Sequence, residues 1–202
     1  MGIRLSYDRY EEIKRIAVNM LVQHGITCFP INAFDIAAKM GIAVIPYSAF
    51  SPDKRQLLLK ESNDGFSIKL STGEWLIYYN DSIENYGRVN NTIMHEIGHI
   101  VLDHTEDSEL AETEVRFFAK YALVPPPIVR QLGIVSYTQI IKAFNVSIEA
   151  AKNAMDYYSK WMVYCGTQYC DYEITLLNQF YTVADRNGMK EGDYIDCDRE
   201  TH

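Results

Sequence analysis

The chain has 202 residues, of which 48% are hydrophobic and 23% are charged, and it carries a formal net charge of −8. These values are typical of a globular protein with a sizeable core. Because an acidic surface repels phosphate backbones, nucleic acid is not expected among its partners. The chain lacks the basic start and apolar run of a signal peptide, and it lacks an apolar stretch of membrane-spanning length. We therefore expect a cytoplasmic protein with no membrane partner and with its four cysteines as reduced thiols.

The first part of the chain predicts two helices and one strand. Apolar residues recur at helical spacing over residues 10–21, and Gly25 is suited to end that helix. Asn32 can cap a short helix that ends at Gly41, and the segment IAVIPY that follows is typical of a strand. Residues 51–64 are polar, so we expect a loop there.

The remainder predicts a hairpin followed by helices. The turn-like STGE lies between GFSIKL and WLIYYN, a pattern typical of a β-hairpin. Helical patterns are found in four further stretches: residues 90–103, 110–123, 137–144 and 148–161. The prolines at 125–127 stop the second of these, and Ser147 can cap the last. The last two helices resemble a helix-turn-helix, but two helices that close a small bundle give the same pattern. The negative net charge favours the bundle.

The segment TIMHEIGHIVLDH, residues 92–104, holds three of the chain's five histidines. On a helix each residue advances about 100°, so His95 and His99 lie about 40° apart on one face, where two imidazoles can bind one ion at about 2 Å. Glu96 lies about 100° from His95, which is too far to the side for it to share the ion. It is suited to take a proton from a water molecule that the ion acidifies, and the resulting hydroxide can attack a carbonyl. The opposite face is apolar, and Gly98 lets another backbone approach beside the histidines.

A polar helix face that is rich in histidine by chance is the alternative interpretation of this segment. An HExxH string arises by chance in on the order of one chain in a hundred of this size. Accidental strings usually lie on loops or solvated faces. This one lies on an amphipathic helix with an apolar back, so a metal site is favoured.

A catalytic zinc usually has three protein ligands, and three residues are candidates for the third. His104 lies about 140° from His99 on a continuing helix, and its spacing differs by one residue from the HExxHxxGxxH pattern. We therefore expect His104 to support a ligand from behind or to lie at the rim of the metal site. Glu112 falls on the solvated face of the next helix, where a pair with Arg116 accounts for it. Glu114 falls on the apolar stripe of that helix, and a buried carboxylate needs a partner. Glu114 is therefore the predicted third ligand.

The sequence resembles the ImmA/IrrE family of zinc metallopeptidases. The resemblance rests on TIMHEIGHIVLDH and on ETEVRFFAKYALVPP, where the family pattern is Glu-Ala-Asn-x-Phe-Ala, two apolar residues and Pro. The chain departs from that pattern at Val115 and Arg116 and keeps five positions: Glu114, Phe118, Ala119, Leu123 and Pro125. The resemblance covers about residues 7–160. It implies one zinc ion bound by three residues and a general base on a gluzincin-like core: ligands His95, His99 and Glu114, and base Glu96.

The resemblance implies an α+β fold with a small antiparallel sheet, an HExxH helix with surrounding helices, and a C-terminal helical region. We expect residues 1–127 to form the metallopeptidase core, and residues 128–202 to form a helical region and tail packed on it. The hairpin strand WLIYYN is expected to border the cleft and to pair through a free edge with an extended substrate.

The implied function is a zinc-dependent metalloendopeptidase with a protein or peptide substrate. Relatives associated with mobile elements cleave a helix-turn-helix repressor, and an acidic peptidase would attract such a basic substrate. The alternative is a non-catalytic zinc-binding regulatory or antitoxin-like module with the same fold, and a further one is a non-proteolytic zinc hydrolase. An intact Glu96 favours the enzyme, because a pure binder needs no base there.

Overall fold

The structure is a computed structural model that describes residues 3–106, 108–165 and 168–186. Its helices in chain order are α1 (Tyr7–Gln23), α2 (Ala33–Lys39), α3 (Pro52–Glu61), α4 (Tyr86–Val101), α5 (Glu109–Leu123), α6 (Pro126–Gln131), α7 (Tyr137–Phe144), α8 (Ile148–Cys165) and α9 (Asp171–Arg186). Its strands are β1 (Ala43–Pro46), β2 (Gly65–Lys69) and β3 (Trp75–Tyr79). The predicted α+β class and C-terminal helical region are confirmed. Among the described residues, no helix has the length and apolar character needed to cross a membrane.

The sheet has the strand order β1-β3-β2. The predicted hairpin is confirmed, because β2 and β3 pair antiparallel with Ser67 opposite Ile77. The sheet, expected to be small and antiparallel, is mixed, since β1 pairs parallel with β3 and Val44 lies opposite Ile77. The chain crosses from β1 to β2 through α3, and β3 then inserts between the two, which makes the sheet mixed.

Two further predictions about this region were wrong. Residues 51–64 do not form a loop, because α3 occupies Pro52–Glu61 with its proline at a position of the first turn that tolerates a missing backbone N–H. The helix has no fully buried residue, so it gives no apolar periodicity that the sequence could reveal. The strand WLIYYN has no free edge for a substrate, because β3 is the central strand. The edges of the described sheet belong to β1 and β2.

The described residues form two compact units. The first contains Asn32–Ala119 together with the chain up to Arg9, and therefore the sheet and α2 to α4. Within it, the backbone N–H of Ala33 donates to the buried Oδ1 of Asn90 across 2.7 Å, which ties α2 to α4. The predicted boundary at residue 127 stays a prediction.

The second unit contains Tyr10–Ile31 and the described residues from Lys120 onwards. Its core includes Phe29, whose ring stacks on that of Phe180 at 4.4 Å and meets Phe144 edge-on at 5.0 Å. The helix α7 starts with a capping box at Ser136, and α7 packs on α8. Cys170 is a free, exposed thiol, but the prediction of reduced thiols was wrong for Cys28, which is disulfide-bonded. A sequence does not reveal which thiols the fold brings together.

Candidate metal centre

Helix α4 carries the HExxH segment and is fixed at both its start and its apolar face. The side chain of Asn85 accepts a hydrogen bond from the backbone N–H of Arg88, which satisfies one donor of the first turn. The apolar face is fully buried and includes Ile93, Met94 and Ile97. The helix packs on α2, β2 and β3, and the side chains of His95 and His99 are part-buried.

The end of α4 determines where His104 lies. Asp103 adopts a left-handed conformation with φ of 55°, and its backbone N–H donates to Ile100 while that of His104 donates to His99. These two bonds are the Schellman ending of a helix. The helix therefore stops at Val101 and the chain turns back. The sequence-based prediction assumed that the helix continues to His104, but His104 lies beyond its end and contacts His99 from behind.

Three ligand atoms lie close together beside this part of α4. The Nε2 atoms of His95 and His99 lie 3.3 Å apart. Oε1 of Glu112 lies 3.6 Å from His95 Nε2 and 3.3 Å from His99 Nε2. Among the described residues, these three side chains form the one group that could hold a metal ion. Helix α5 supplies the carboxylate and α4 supplies both imidazoles.

The spacing of these atoms fits a tetrahedral zinc site. Zinc binds imidazole nitrogen and carboxylate oxygen at about 2.0–2.2 Å, so tetrahedral geometry separates neighbouring ligand atoms by about 3.4 Å. The three observed separations of 3.3, 3.3 and 3.6 Å lie close to that value. Two imidazoles and one carboxylate are also the ligand set of catalytic zinc peptidases, in which a fourth position stays open.

The charges at the site favour a cation. Burial lowers the pKa of His95, against the attraction of Glu112, and neutral imidazole is the form that binds metal. Burial alone would raise the pKa of Glu112, but attraction to His95, His99 and Arg116 lowers it overall. The expected pair between Glu112 and Arg116 is present, with Nη2 donating to Oε2 across 3.1 Å. It uses the oxygen that does not face the histidines.

Glu114, the predicted third ligand, is engaged elsewhere. Arg9 donates from Nε to its Oε1 across 2.7 Å and from Nη2 to its Oε2 across 2.6 Å. His104 Nε2 lies 2.9 Å from the same Oε2. The hydrogen bonds from Arg9 outweigh burial, and together with His104 they lower the pKa of Glu114. The carboxylate is buried and paired, as its place on the apolar stripe predicts, but with these two residues.

Glu96, the predicted base, is a buried carboxylate beside the histidines. Its Oε2 accepts a hydrogen bond from the Oγ of Ser67 across 2.8 Å. Ser67 belongs to β2, an edge strand of the described sheet, so the strand next to α4 holds the side chain of Glu96 in place.

Sequence reasoning missed Glu112, Ser67 and Arg9. For Glu112 the sequence offers only a weak signal, since the apolar residues Val115 and Ala119 lie three and seven residues further along the helix. That pattern extends the apolar stripe of α5 to the side of Glu112. For Ser67 and Arg9 no sequence signal is evident, since their partners lie 29 and 105 residues away in the chain.

Comparison with known proteins supports a peptidase family for this chain. The family model of the IrrE N-terminal-like domain, Peptidase_M78, matches residues 37–156, which is more than half of the chain and includes the sheet, α4 and α5. A search of curated proteins finds no match. The family match supports a peptidase-type hydrolase that acts on protein. The chain therefore belongs to the Peptidase_M78 family, as the ImmA/IrrE resemblance of its sequence predicts, and its function is of the metallopeptidase type.

Proposed function

We propose that the protein is a zinc-dependent metalloendopeptidase that binds one zinc ion through His95, His99 and Glu112. The observation that carries this proposal is the convergence of their three ligand atoms at separations of 3.3–3.6 Å, which suits one tetrahedral ion. Glu112 replaces Glu114 in the proposed ligand set, because both oxygens of Glu114 are already engaged by Arg9.

Glu96 is the proposed general base. Zinc bound at this site would act as a Lewis acid toward a carbonyl oxygen and would lower the pKa of a water molecule. The carboxylate of Glu96 accepts the proton of the attacking water and can return it to the leaving amine. Ser67 fixes the orientation of that carboxylate by donating to Oε2. A base held in one orientation transfers the proton without first losing rotamer freedom.

The proposed substrate is a protein, such as a helix-turn-helix repressor in the regulation of a mobile element. The net charge of −8 supports attraction to a basic, DNA-binding protein and opposes a nucleic-acid partner. No membrane partner is proposed, and the proposed location is the cytoplasm, where such a repressor acts.

A non-catalytic zinc-binding regulatory or antitoxin-like module is the alternative function. It would share the three proposed ligands, so ligand geometry does not separate the two. The hydrogen bond from Ser67 to Glu96 favours the enzyme. Burial of a carboxylate lowers stability unless it has a partner, and a pure binder gains nothing from that arrangement beside its metal.

Metal content and cleavage, measured together, test the proposal. The purified protein is expected to take up about one zinc per chain and to cleave a candidate repressor. Glu96→Gln is expected to keep its zinc and its fold, because Glu96 is not a proposed ligand, and to lose about 10²-fold or more in cleavage rate. Absence of zinc uptake on titration would refute the metal site. Unchanged cleavage by Glu96→Gln would refute the base and favour the binding module.

A further inference from the structure

Four side chains of the first unit form a continuous row that ends at His99. Arg9 makes two hydrogen bonds to the carboxylate of Glu114. Oε2 of Glu114 lies 2.9 Å from Nε2 of His104, and Nδ1 of His104 lies 3.2 Å from Nδ1 of His99. The opposite nitrogen of His99, Nε2, is the one that faces His95 and Glu112.

The chemistry of these groups determines where the protons lie. An ionised carboxylate only accepts hydrogen bonds, so Oε2 of Glu114 requires a proton on Nε2 of His104. In the neutral form of His104 the imidazole carries only this one proton, and Nδ1 is then an acceptor. The 3.2 Å contact between the two Nδ1 atoms then requires the proton of His99 to lie on its Nδ1. Nε2 of His99 is left without a proton, which is the form a metal ligand needs.

Burial makes this order of protons specific. The side chains of Glu114, His104 and His99 are only 7%, 11% and 13% exposed, so bulk water has little access to substitute for a missing hydrogen bond. Arg9 supplies the positive charge that keeps the buried carboxylate ionised. Removal of any member takes from the next one a hydrogen bond that water replaces poorly at this depth.

We propose that Arg9, Glu114 and His104 are positioning residues that hold His99 in the tautomer and ring orientation needed to bind metal through Nε2. The row meets the ring of His99 at Nδ1, whereas the convergent ligand atom of His99 is Nε2. The row corresponds to the outer hydrogen bonds that orient histidine ligands in metal sites. It gives Glu114 a function at the site without making it a ligand. This inference rests on the proposed zinc site.

A matched pair of variants at His104 tests the proposal. His104→Asn keeps an acceptor oxygen near the position of Nδ1, whereas His104→Leu places a methyl group there, and both break the contact with Glu114. Zinc affinity, measured by competition with a chromophoric chelator, is expected to fall about 10–100-fold in His104→Leu and to fall less in His104→Asn. Glu109→Gln, an exposed position of α5, is the control and is expected to bind zinc as the parent does.

Histidine nitrogen NMR of the metal-free parent gives a second measurement that needs no variant to fold. We expect the proton of neutral His104 on Nε2, with Nδ1 as an acceptor. The zinc-loaded parent is expected to show a slowly exchanging proton on Nδ1 of His99. A proton on Nδ1 of His104 would overturn the proposal, because that atom could then no longer accept a hydrogen bond from Nδ1 of His99.

The outcomes separate this proposal from the proposed function. A parent protein that takes up no zinc refutes the zinc site. The proton positions in the metal-free protein still test the order of hydrogen bonds along the row. If the parent binds zinc and His104→Leu binds it equally well, the row does not support His99 and the inference is wrong. A loss in His104→Leu that His104→Asn partly restores, with the expected proton positions, supports it.

Discussion

The Oγ of Ser67 on β2 donates to the Oε2 of Glu96 on α4 across 2.8 Å. Because hydrogen bonds to charged groups contribute about 1.5–3 kcal/mol, we expect Ser67→Ala to lower kcat for peptide cleavage by about tenfold or more. KM should change little, since Ser67 acts through Glu96. Steady-state kinetics with a peptide substrate measures both.

Ser67→Thr is the matched control for this prediction, because it restores the hydroxyl and threonine suits a strand. Its kcat is expected to recover most of the loss. A rise in KM at constant kcat in Ser67→Ala would instead assign Ser67 to substrate binding.

The identity of the third ligand gives a second prediction. Glu112→Gln is expected to reduce zinc affinity and to change the absorption spectrum of the cobalt-substituted protein, because it replaces a ligand carboxylate by a neutral amide. Glu114→Gln is expected to change the cobalt spectrum much less, since Glu114 is not a proposed ligand and glutamine keeps an oxygen that can accept from His104. The sequence favours Glu114 as the ligand. A cobalt spectrum that changes in Glu114→Gln and not in Glu112→Gln would restore that assignment.

The segment from residue 92 to 104 made much of the site predictable from sequence. Helical periodicity alone places His95 and His99 on one face with Glu96 beside them, and the structure has this arrangement on α4. The third carboxylate was harder to predict, because helix α5 is buried around nearly its whole circumference. Among residues 111–119, only Arg116 is exposed, so the apolar stripe extends to both Glu112 and Glu114 and does not decide between them.

The position of His104 depends on how α4 ends, and this was not predictable from periodicity. Asp103 is not a glycine, yet it adopts the left-handed conformation that ends the helix, which aspartate tolerates better than most residues. Helix α3 was not predictable from periodicity either, because none of its residues is buried. The end of α4 depends on the local conformation of Asp103, and α3 lies in the connection between β1 and β2. The hydrophobic pattern carries little information about either.

The close approach of α5 to α4 gives a third prediction. A Cβ atom at Gly98 would lie 2.9 Å from Cδ1 of Phe118 and 3.3 Å from Cβ of Val115. Both of these side chains are fully buried, so they have little room to move. We expect Gly98→Ala to lower the free energy of unfolding by about 1–3 kcal/mol, as measured by urea denaturation, although alanine is the better helix former. A variant as stable as the parent would show that the two helices separate without penalty.

The fourth prediction concerns Lys120 in the second unit. Its Nζ lies 4.5 Å from the ring centre of Tyr157, and burial, with a smaller contribution from Lys160, lowers its pKa from 10.5 to about 8. Since its pKa is lower in the folded than in the unfolded protein, the unfolded chain binds more protons between these values. Stability is therefore expected to rise as the pH rises through about 8.

Lys120→Met keeps the length and apolar contacts of the side chain but removes its charge. Between pH 7 and pH 9, the lysine is expected to add about 1 kcal/mol to the increase in the free energy of unfolding. The methionine variant should lack this contribution and should be more stable than the parent at pH 7, since it no longer buries an ammonium group there. Urea denaturation of both proteins at the two pH values isolates the effect, because all other groups titrate in both. Parallel changes in the two proteins would mean that Lys120 titrates at its ordinary pKa and that its charge is solvated in the folded state.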